Sequence, residues 1–294
     1  MKKRVVSNIF FTVISFFLFT QISGITIDRA IVSTNDNPMY IDFWPVVAKA
    51  WNKMGIKPTL ALVGDENVKV DESLGDVIRI KPIEGVSTAV LAQTIRLLLP
   101  IYFEDEVSII SDIDMLPINK AYYVDSVKDY SDDSFIVYRP NPYPNQKLIS
   151  MCYNVAKGST FKEVFGVYAI EDIPKTIKKW ATELKNNHMT DEIILYHKIH
   201  NWKDYNTRCV KLNDKITGNR RIDRSSWKYD LNLLKQNYYI DSHMLRPYKR
   251  YKAEIDELAT HIGIGNIYSI QDILLIIAAL VLILGLICYF YRRK

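Results

Sequence analysis

The sequence predicts an α/β fold in which a mostly parallel, mixed sheet is flanked by helices. Short apolar runs rich in β-branched residues alternate along the chain with segments whose apolar residues recur at helical spacing. This alternation favours parallel strands, because each helix carries the chain back to the edge where the previous strand began. About 240 residues lie between two apolar ends, which is enough for one domain with a substantial core.

The first half of the chain shows the alternation most clearly. Strands are predicted at residues 30–33, 58–63, 77–80 and 107–110, and helices at residues 40–54 and 87–99. We expect the first helix to end at Gly55 and the second at Pro100. Glycine ends helices readily, and proline cannot donate the hydrogen bond that a helix interior needs. Three α/β units therefore precede the strand that ends at Ile110.

The second half of the chain has a weaker pattern. Strands are predicted at residues 134–138 and 148–155, and helices at residues 160–167, 173–187, 191–199 and 254–261. The stretch from residue 203 to residue 251 is polar and aromatic, and its periodicity assigns no element. The sequence shows neither an internal repeat nor a low-complexity linker, so a single domain over residues 25–265 is predicted.

Both ends of the chain have the composition of membrane-directed segments. Basic residues at positions 2–4 precede an apolar run at 9–19, which predicts a signal peptide or a signal anchor over residues 1–24. Near the other end, residues 273–291 form a stretch of 19 without a charge, long enough to cross a bilayer. A C-terminal transmembrane helix over 270–291 and a basic tail over 292–294 are predicted.

The charge distribution predicts the orientation in the membrane. The positive-inside rule places the basic tail in the cytoplasm. The domain would then be extracytoplasmic, or lumenal in a compartment such as the ER or Golgi, on a protein that crosses the membrane once or twice. The net charge of +5 is only mildly basic and does not indicate nucleic-acid binding. A basic surface does suit anionic donors or anionic lipids.

Two aspartates mark the strongest candidate site. Asp112 and Asp114 follow the apolar run of residues 107–110, so they are expected at the carboxyl edge of the sheet, where open α/β folds bind ligands. Two carboxylates in one place repel each other unless a cation joins them. Oxygen ligands of this type suit Mg²⁺ or Mn²⁺, often together with substrate phosphates.

The same segment resembles a known family. The strand end Ile-Ser-Asp-Ile-Asp at residues 110–114, followed by Met-Leu-Pro-Ile at 115–118, is similar to the Asp-x-Asp segment of membrane-anchored nucleotide-sugar glycosyltransferases with the GT-A fold. The resemblance implies a Rossmann-like sheet and a Mn²⁺ or Mg²⁺ cofactor. It also implies a UDP- or GDP-sugar donor and a hydroxyl acceptor on a glycan, a protein or a lipid. The metal ligands would be Asp112 and Asp114, with Asp112 also contacting the donor.

The resemblance implies further donor-binding residues. Ser33, Asn35 and Asp36 follow the first strand, where this family holds the base and ribose of the nucleotide, and Asp65 follows the second strand. Asn, Asp and Pro at residues 35–38 are equally typical of a turn. Asn154 corresponds to a position that borders the donor sugar, although Cys152 and Tyr153 stand where the family often has small residues.

Two polar residues on the apolar helix at 87–99 indicate more specifically where the candidate site lies. Gln93 and Arg96 are three residues apart and therefore lie on one face. A charged arginine on a mostly buried helix needs a partner. The donor diphosphate or the carboxylates of Asp112 and Asp114 would provide one.

The candidate catalytic residues are Asp191 and Glu192. Thr190 is expected to cap the helix that they open, and acids in a first helical turn are also common in proteins without any catalytic role. The resemblance implies that Asp191, or else Glu192, acts as the base in an inverting enzyme, whereas a retaining enzyme requires neither. His243 is a candidate third metal ligand or, alternatively, a structural histidine.

Two other functions fit the same residues. Phosphatases of the haloacid-dehalogenase type also place Asp-x-Asp after an apolar strand, but usually after the first strand of the fold. Here three α/β units come first, and Leu116 follows where a threonine or valine is usual. A non-catalytic, membrane-tethered protein that binds glycans is the other alternative.

Overall fold

A computed structural model describes residues 24–140, 143, 145–212, 220–265, 278 and 281. Nearly all of the predicted signal segment and most of the predicted transmembrane segment lie outside these residues, and both stay predictions. No helix in the described part of the chain is long and apolar enough to cross a membrane. The described residues of the predicted domain form a mixed α/β structure, as expected from the alternation of elements.

The strands within the described residues carry the labels β1 to β10 in chain order. They are β1 (Arg29–Asn35), β2 (Lys57–Val63), β3 (Asp76–Ile80), β4 (Val107–Ile110), β5 (Met115–Pro117), β6 (Phe135–Val137), β7 (Asn154–Lys157), β8 (Cys209–Lys211), β9 (Arg220–Asp223) and β10 (Tyr239–His243).

The α-helices of the same residues carry the labels α1 to α9. They are α1 (Trp44–Met54), α2 (Thr88–Leu98), α3 (Lys120–Tyr123), α4 (Gly158–Phe165), α5 (Ile173–Glu183), α6 (Thr190–His200), α7 (Tyr205–Arg208), α8 (Leu231–Lys235) and α9 (Lys252–His261).

Seven of the described strands form one mixed sheet in the order β3-β2-β1-β4-β7-β6-β8. The pairs β1–β2, β2–β3, β1–β4 and β6–β8 are parallel, whereas β7 runs antiparallel to both β4 and β6. The prediction of a mostly parallel mixed sheet is confirmed. Because β1 and β4 are parallel neighbours, their carboxyl ends meet at one edge and bring residues 33–35 close to residues 112–114.

Local sequence explains where the first helices begin and end. The Ser87 side chain accepts a hydrogen bond from the backbone N–H of Val90 at 3.2 Å and caps α2. Gly55 has a φ of 80°, a left-handed conformation that favours glycine and ends α1. The predicted helices at residues 40–54 and 87–99 are confirmed, except that a 3₁₀ turn precedes α1.

One predicted strand differs from the structure. The strand predicted at residues 148–155 forms only from Asn154 onward. The Asn154 side-chain amide donates to the carbonyls of Ser150 at 2.9 Å and Met151 at 3.1 Å, so these residues fold back as a loop. The loop is as apolar as a buried strand, because Ile149 and Met151 are buried in the core.

A second, three-stranded sheet has the order β5-β10-β9. Strand β10 is antiparallel to β5 and parallel to β9. It lies in the region from 203 to 251 that the sequence left unassigned. The backbone N–H of Met244 donates to the carbonyl of Asp114 at 3.0 Å, so the small sheet is joined directly to the turn that carries the two aspartates.

A buried ion pair lies within the small sheet and is hydrogen-bonded to the residue that precedes β7 of the main sheet. Arg221 on β9 makes two hydrogen bonds of 2.6 Å to the carboxylate of Asp241 on β10. The hydroxyl of Tyr153, just before β7, donates to the same carboxylate at 2.9 Å. The Asp241 side chain is fully buried, so it depends on these partners for the hydrogen bonds that water would supply.

We therefore expect Asp241→Asn to destabilise the domain strongly. The substitution leaves the charge of Arg221 uncompensated in a mostly buried position, a change that costs about 3–5 kcal/mol in comparable pairs. Urea denaturation of the full chain measures the free energy of unfolding. The control is Glu66→Gln, which removes an exposed charge 3.9 Å from Lys81 and should change that free energy by less than about 0.5 kcal/mol. Equal unfolding midpoints for the two variants would contradict the buried pair.

Candidate active site

A cavity of about 450 Å³ opens at the edge where β1 and β4 end. Nine of the twelve residues that the sequence predicts as site residues line it. They are Ser33, Asn35, Gln93, Arg96, Asp112, Asp114, Asp191, Glu192 and His243. The charged members of this set lie on the turn after β4, the last turn of α2, the first turn of α6 and the end of β10.

Arg96 joins two of the carboxylates at the base of the cavity. Its Nη2 donates to Asp191 Oδ2 at 2.8 Å, and its Nη1 donates both to Asp112 Oδ1 and to the carbonyl of Ser111. The side chains of Arg96 and Asp191 are only 6% and 4% exposed. The sequence-based expectation that Arg96 needs a carboxylate partner is confirmed for Asp112, and Asp191 is a second partner.

Burial and charge act against each other in this group. Burial by itself lowers the pKa of the Arg96 guanidinium, but Asp112 and Asp191 outweigh it and the net pKa is raised. Burial raises the pKa of the Asp191 carboxyl above its ordinary value, although Arg96 opposes the shift. Asp191 therefore lies in the wall of the cavity with one carboxylate oxygen already bound to an arginine.

Glu192 has a different environment from its neighbour. Burial is the main reason that its pKa rises to about 7, and the negative charges of Asp191 and Asp112 add to the shift. A backbone hydrogen bond from Met151 opposes the shift. A carboxyl group with this pKa exchanges its proton near neutral pH, which suits a general base.

The start of α6 differs from the sequence-based expectation. Thr190 is the first residue of the helix and does not act as its side-chain cap; Met189 precedes it without a capping side-chain hydrogen bond. The Thr190 hydroxyl donates instead to the carbonyl of Asn187 at 2.6 Å. The Thr190 hydroxyl thus stabilises the turn at residues 187–190. In the first turn of the helix, Asp191 Oδ1 accepts a hydrogen bond from the backbone N–H of Glu192 at 2.9 Å.

The opposite side of the cavity holds a second charged group around Asp114. Arg224 Nη1 lies 2.9 Å from Asp114 Oδ2, His243 Nε2 lies 3.5 Å from the same oxygen, and Arg246 Nη1 lies at 3.7 Å. Burial by itself would raise the pKa of Asp114. His243, Arg224 and Arg246 outweigh burial, and the net pKa is lowered to about 2. Asp114 is therefore a firmly ionised carboxylate beside two guanidinium groups.

Two of the three predicted metal ligands, Asp114 and His243, lie close together in the cavity. Asp114 Oδ2 and His243 Nε2 lie 3.5 Å apart, close to the roughly 3 Å between neighbouring ligands of an octahedral cation. His243 Nδ1 faces Asp223 Oδ2 at 3.4 Å, the type of contact that orients a ligating imidazole. Within the described residues, however, no three His, Cys, Asp or Glu side chains are close enough together to hold a metal. The predicted metal site at Asp112, Asp114 and His243 is thus incomplete in this arrangement and stays a prediction.

The side chains on the β1 side of the cavity contact other parts of the protein. Ser33 donates to the carbonyl of Ala92, and Asn35 Nδ2 donates to Thr88 Oγ1 at 3.1 Å. Gln93 Nε2 donates to the carbonyl of His188 at 3.0 Å. Among the described atoms, the buried Gln93 Oε1 has no hydrogen-bond partner, which leaves an acceptor at the cavity wall.

Three predicted donor-binding residues do not line the cavity. Asp36 and Asp65 are exposed, and Asp65 Oδ1 accepts from the backbone N–H of Asn67 at 2.8 Å, the turn geometry that these residue types favour. Asn154 is completely buried, with its amide bound to the loop before β7, so the structure places it behind the cavity instead of beside a sugar.

Arg224 is the main cavity residue that the sequence did not indicate. It follows β9 in the stretch without periodicity, and only the short Asp-x-Ser turn at residues 223–225 marks the place. His188, Tyr143 and Tyr40 also line the cavity without having been predicted. Arg246 also lines the cavity and contacts the ring and hydroxyl of Tyr40.

The charged group around Arg96 leads to a stability prediction. We expect Arg96→Met to lower the free energy of unfolding by about 3–5 kcal/mol at pH 8, because Asp191 loses its buried counter-charge. The loss should be smaller at pH 5. Without the guanidinium the pKa of Asp191 rises further, and its protonation at lower pH removes the unpaired charge.

Urea denaturation at the two pH values measures this difference. Arg79→Met is the control, since Arg79 pairs with Glu72 near the surface and its loss should cost a similar, small amount at both pH values. Equal destabilisation of Arg96→Met at pH 5 and pH 8 would show that the carboxylates do not depend on this arginine.

Comparisons with known proteins give structural similarities only. No protein-family model matches the chain, and no curated protein matches it. Among solved structures, the galactosyltransferase LgtC in complex with donor and acceptor sugar analogs is 15% identical, with 80% of this chain and 94% of that chain covered and a TM-score of 0.46. The glycosyltransferase GlyE of Streptococcus pneumoniae TIGR4 is 12% identical, with 82% and 62% covered and a TM-score of 0.43. The apo form of GlyE is 13% identical, with 82% of this chain and 61% of that chain covered and a TM-score of 0.43. The chain therefore spans about three fifths of the length of GlyE. At this identity and overlap, the similarities identify neither a family nor a substrate for this chain.

Proposed function

We propose that this protein is a glycosyltransferase that moves a sugar from a nucleotide-sugar donor to an acceptor hydroxyl. The observation that carries the proposal is the gathering of Asp112, Asp191 and Glu192 around Arg96 at the edge where β1 and β4 end. The resemblance of residues 110–118 to the Asp-x-Asp segment of GT-A glycosyltransferases supports the same reaction.

The cavity offers complementary groups for each part of a UDP- or GDP-sugar. Asn35 and the free acceptor of Gln93 lie on the β1 side, where the resemblance places the base and ribose. Arg224 and Arg246 lie on the other side and suit a diphosphate, because guanidinium groups pair with phosphate oxygens through two hydrogen bonds. As the bond between the anomeric carbon and the phosphate oxygen breaks, these cations would stabilise the charge that develops on the diphosphate.

We assign the role of general base to Glu192 in preference to Asp191. Both were candidates from the sequence, with Asp191 placed first. Asp191 is bound to Arg96 at 2.8 Å and buried, whereas Glu192 lines the cavity with a pKa of about 7. In an inverting reaction, the Glu192 carboxylate would take the proton from the acceptor hydroxyl as its oxygen attacks the anomeric carbon. Asp191 would then position Arg96 and raise the pKa of Glu192.

The remaining parts of the proposal come from the sequence. A Mn²⁺ or Mg²⁺ ion at Asp112, Asp114 and His243 is proposed as a cofactor, and no step described above depends on it. The glycan, protein or lipid acceptor would be reached from a membrane surface if residues 270–291 anchor the domain, with the domain on the lumenal or extracytoplasmic side.

A donor-turnover assay on the full chain tests the proposal. We expect release of nucleoside diphosphate from at least one UDP- or GDP-sugar. Glu192→Gln should lower kcat by about 100-fold or more while the donor Kd changes little, because the base acts on the acceptor. Glu183→Gln, an exposed acid at the end of α5, is the matched control and should behave as the wild type.

The alternatives give different outcomes in this assay. Hydrolysis of phosphomonoesters without any use of nucleotide sugars would identify a phosphatase of the haloacid-dehalogenase type. Binding of glycans without turnover of any donor would indicate the non-catalytic, membrane-tethered alternative. Full activity of Glu192→Gln would remove this residue from the reaction.

The pH dependence of kcat provides a second prediction. Because the ionised carboxylate is the active form of a general base, the rate should rise with pH through an apparent pKa of about 7 and then level off. Asp191→Asn should move this rise to lower pH, since the negative charge of Asp191 raises the pKa of Glu192. A rise that stays at the same pH in Asp191→Asn would contradict the assignment.

A further inference from the structure

The guanidinium of Arg224 lies in the place that a metal ion bound by Asp114 and His243 would occupy. Its Nη1 is 2.9 Å from Asp114 Oδ2, and its Nη2 contacts His243 Nε2. The Asp114 side chain is 8% exposed, and those of Arg224 and His243 are 24% and 25% exposed. The guanidinium therefore lies inside the cavity wall and not on an open surface.

The atoms that Arg224 contacts are those that a metal would use. A guanidinium has donors only, so it binds the lone pairs of a carboxylate or of a neutral imidazole nitrogen. His243 Nδ1 faces Asp223 Oδ2 at 3.4 Å, which assigns the ring proton to Nδ1 and leaves the lone pair on Nε2. Arg224 and a divalent cation consequently require the same two lone pairs.

The fold holds Arg224 in this place. Asp223 pairs with His243 across β9 and β10, so Arg224, the next residue, lies beside the imidazole. Asp223 Oδ1 accepts from the backbone N–H of Ser225 at 2.9 Å and from its hydroxyl at 2.6 Å, which closes a tight turn around Arg224. Arg246, in comparison, is 3.7 Å from Asp114 and contacts Tyr40.

We propose that Arg224 is the resident cation of the Asp114–His243 pair and that it opposes the binding of a divalent cation there. The two positive charges exclude each other, because both occupy the same carboxylate oxygen and the same imidazole nitrogen. A metal ion enters only when the Arg224 side chain leaves. This inference deepens the proposed function and rests on it for the use of the site, but metal binding alone tests it.

The test measures the affinity of the detergent-solubilised full chain for Mn²⁺ alone, from the loss of the free-ion signal in electron paramagnetic resonance. We expect Arg224→Met to bind Mn²⁺ about tenfold more tightly than the wild type. Arg224→Gln, which keeps hydrogen-bond donors but not the charge, should also bind more tightly. It keeps the inference testable if Arg224→Met does not fold. In the double variant with Asp114→Asn the gain should disappear.

The control is Arg220→Met, which removes the same charge at an exposed position at the other end of β9. It should leave the Mn²⁺ affinity within about twofold of the wild-type value, because exposed charges at that distance are screened. Binding by both Arg224 variants that is no tighter than the wild type, including no binding at all, would overturn the inference. So would a gain that survives Asp114→Asn. Tighter Mn²⁺ binding without turnover of any nucleotide sugar would leave the inference standing and refute the proposed function.

Discussion

The arrangement of the cavity depends on one buried guanidinium. Arg96 extends from an apolar helix to a position where it is almost completely shielded from water, and it binds one carboxylate from the turn after β4 and one from the first turn of α6. Removing a charge from water is unfavourable, and Asp112 and Asp191 compensate the buried charge of Arg96. The same requirement applies in reverse, because Asp191 is buried and has Arg96 as its counter-charge. The three residues thus hold β4, α2 and α6 in one relative position.

Three acidic residues of the cavity have different surroundings and therefore different properties. Asp191 serves the buried arginine, and Asp114 is kept ionised by the cations around it. Glu192 is partly buried and lies beside the negative charges of Asp191 and Asp112, so its pKa is higher than that of an isolated glutamate. Environments that separate the pKa values of neighbouring carboxyl groups are typical of acid–base sites. Here the pKa values differ because burial outweighs the nearby cation at Asp191, whereas several cations outweigh burial at Asp114.

The sequence predicted the parts of this arrangement that local pattern determines. The order of strands and helices up to Ile110 follows from apolar periodicity, and the need of Arg96 for a partner follows from its charge on an apolar helix. Position alone could not show that Asn154 points into the loop before β7, since a buried strand and a buried loop have the same apolar composition. Arg224 comes into the cavity only because β9 pairs with β10. A pairing between strands that are distant in the sequence produces no periodic pattern of apolar residues.

The central position of β10 in the small sheet affects how the protein is made. Asp114 and His243 are separated by 129 residues (243 − 114), and β5 has its partner in β10. At about 5–20 residues per second, a ribosome needs roughly 6–26 s to synthesise the stretch between them. During that interval the turn with both aspartates exists without His243 and without the complete strand that pairs with β5. A nascent chain that ends before residue 239 therefore leaves the edge of β5 without its partner β10, and unpaired strand edges favour aggregation.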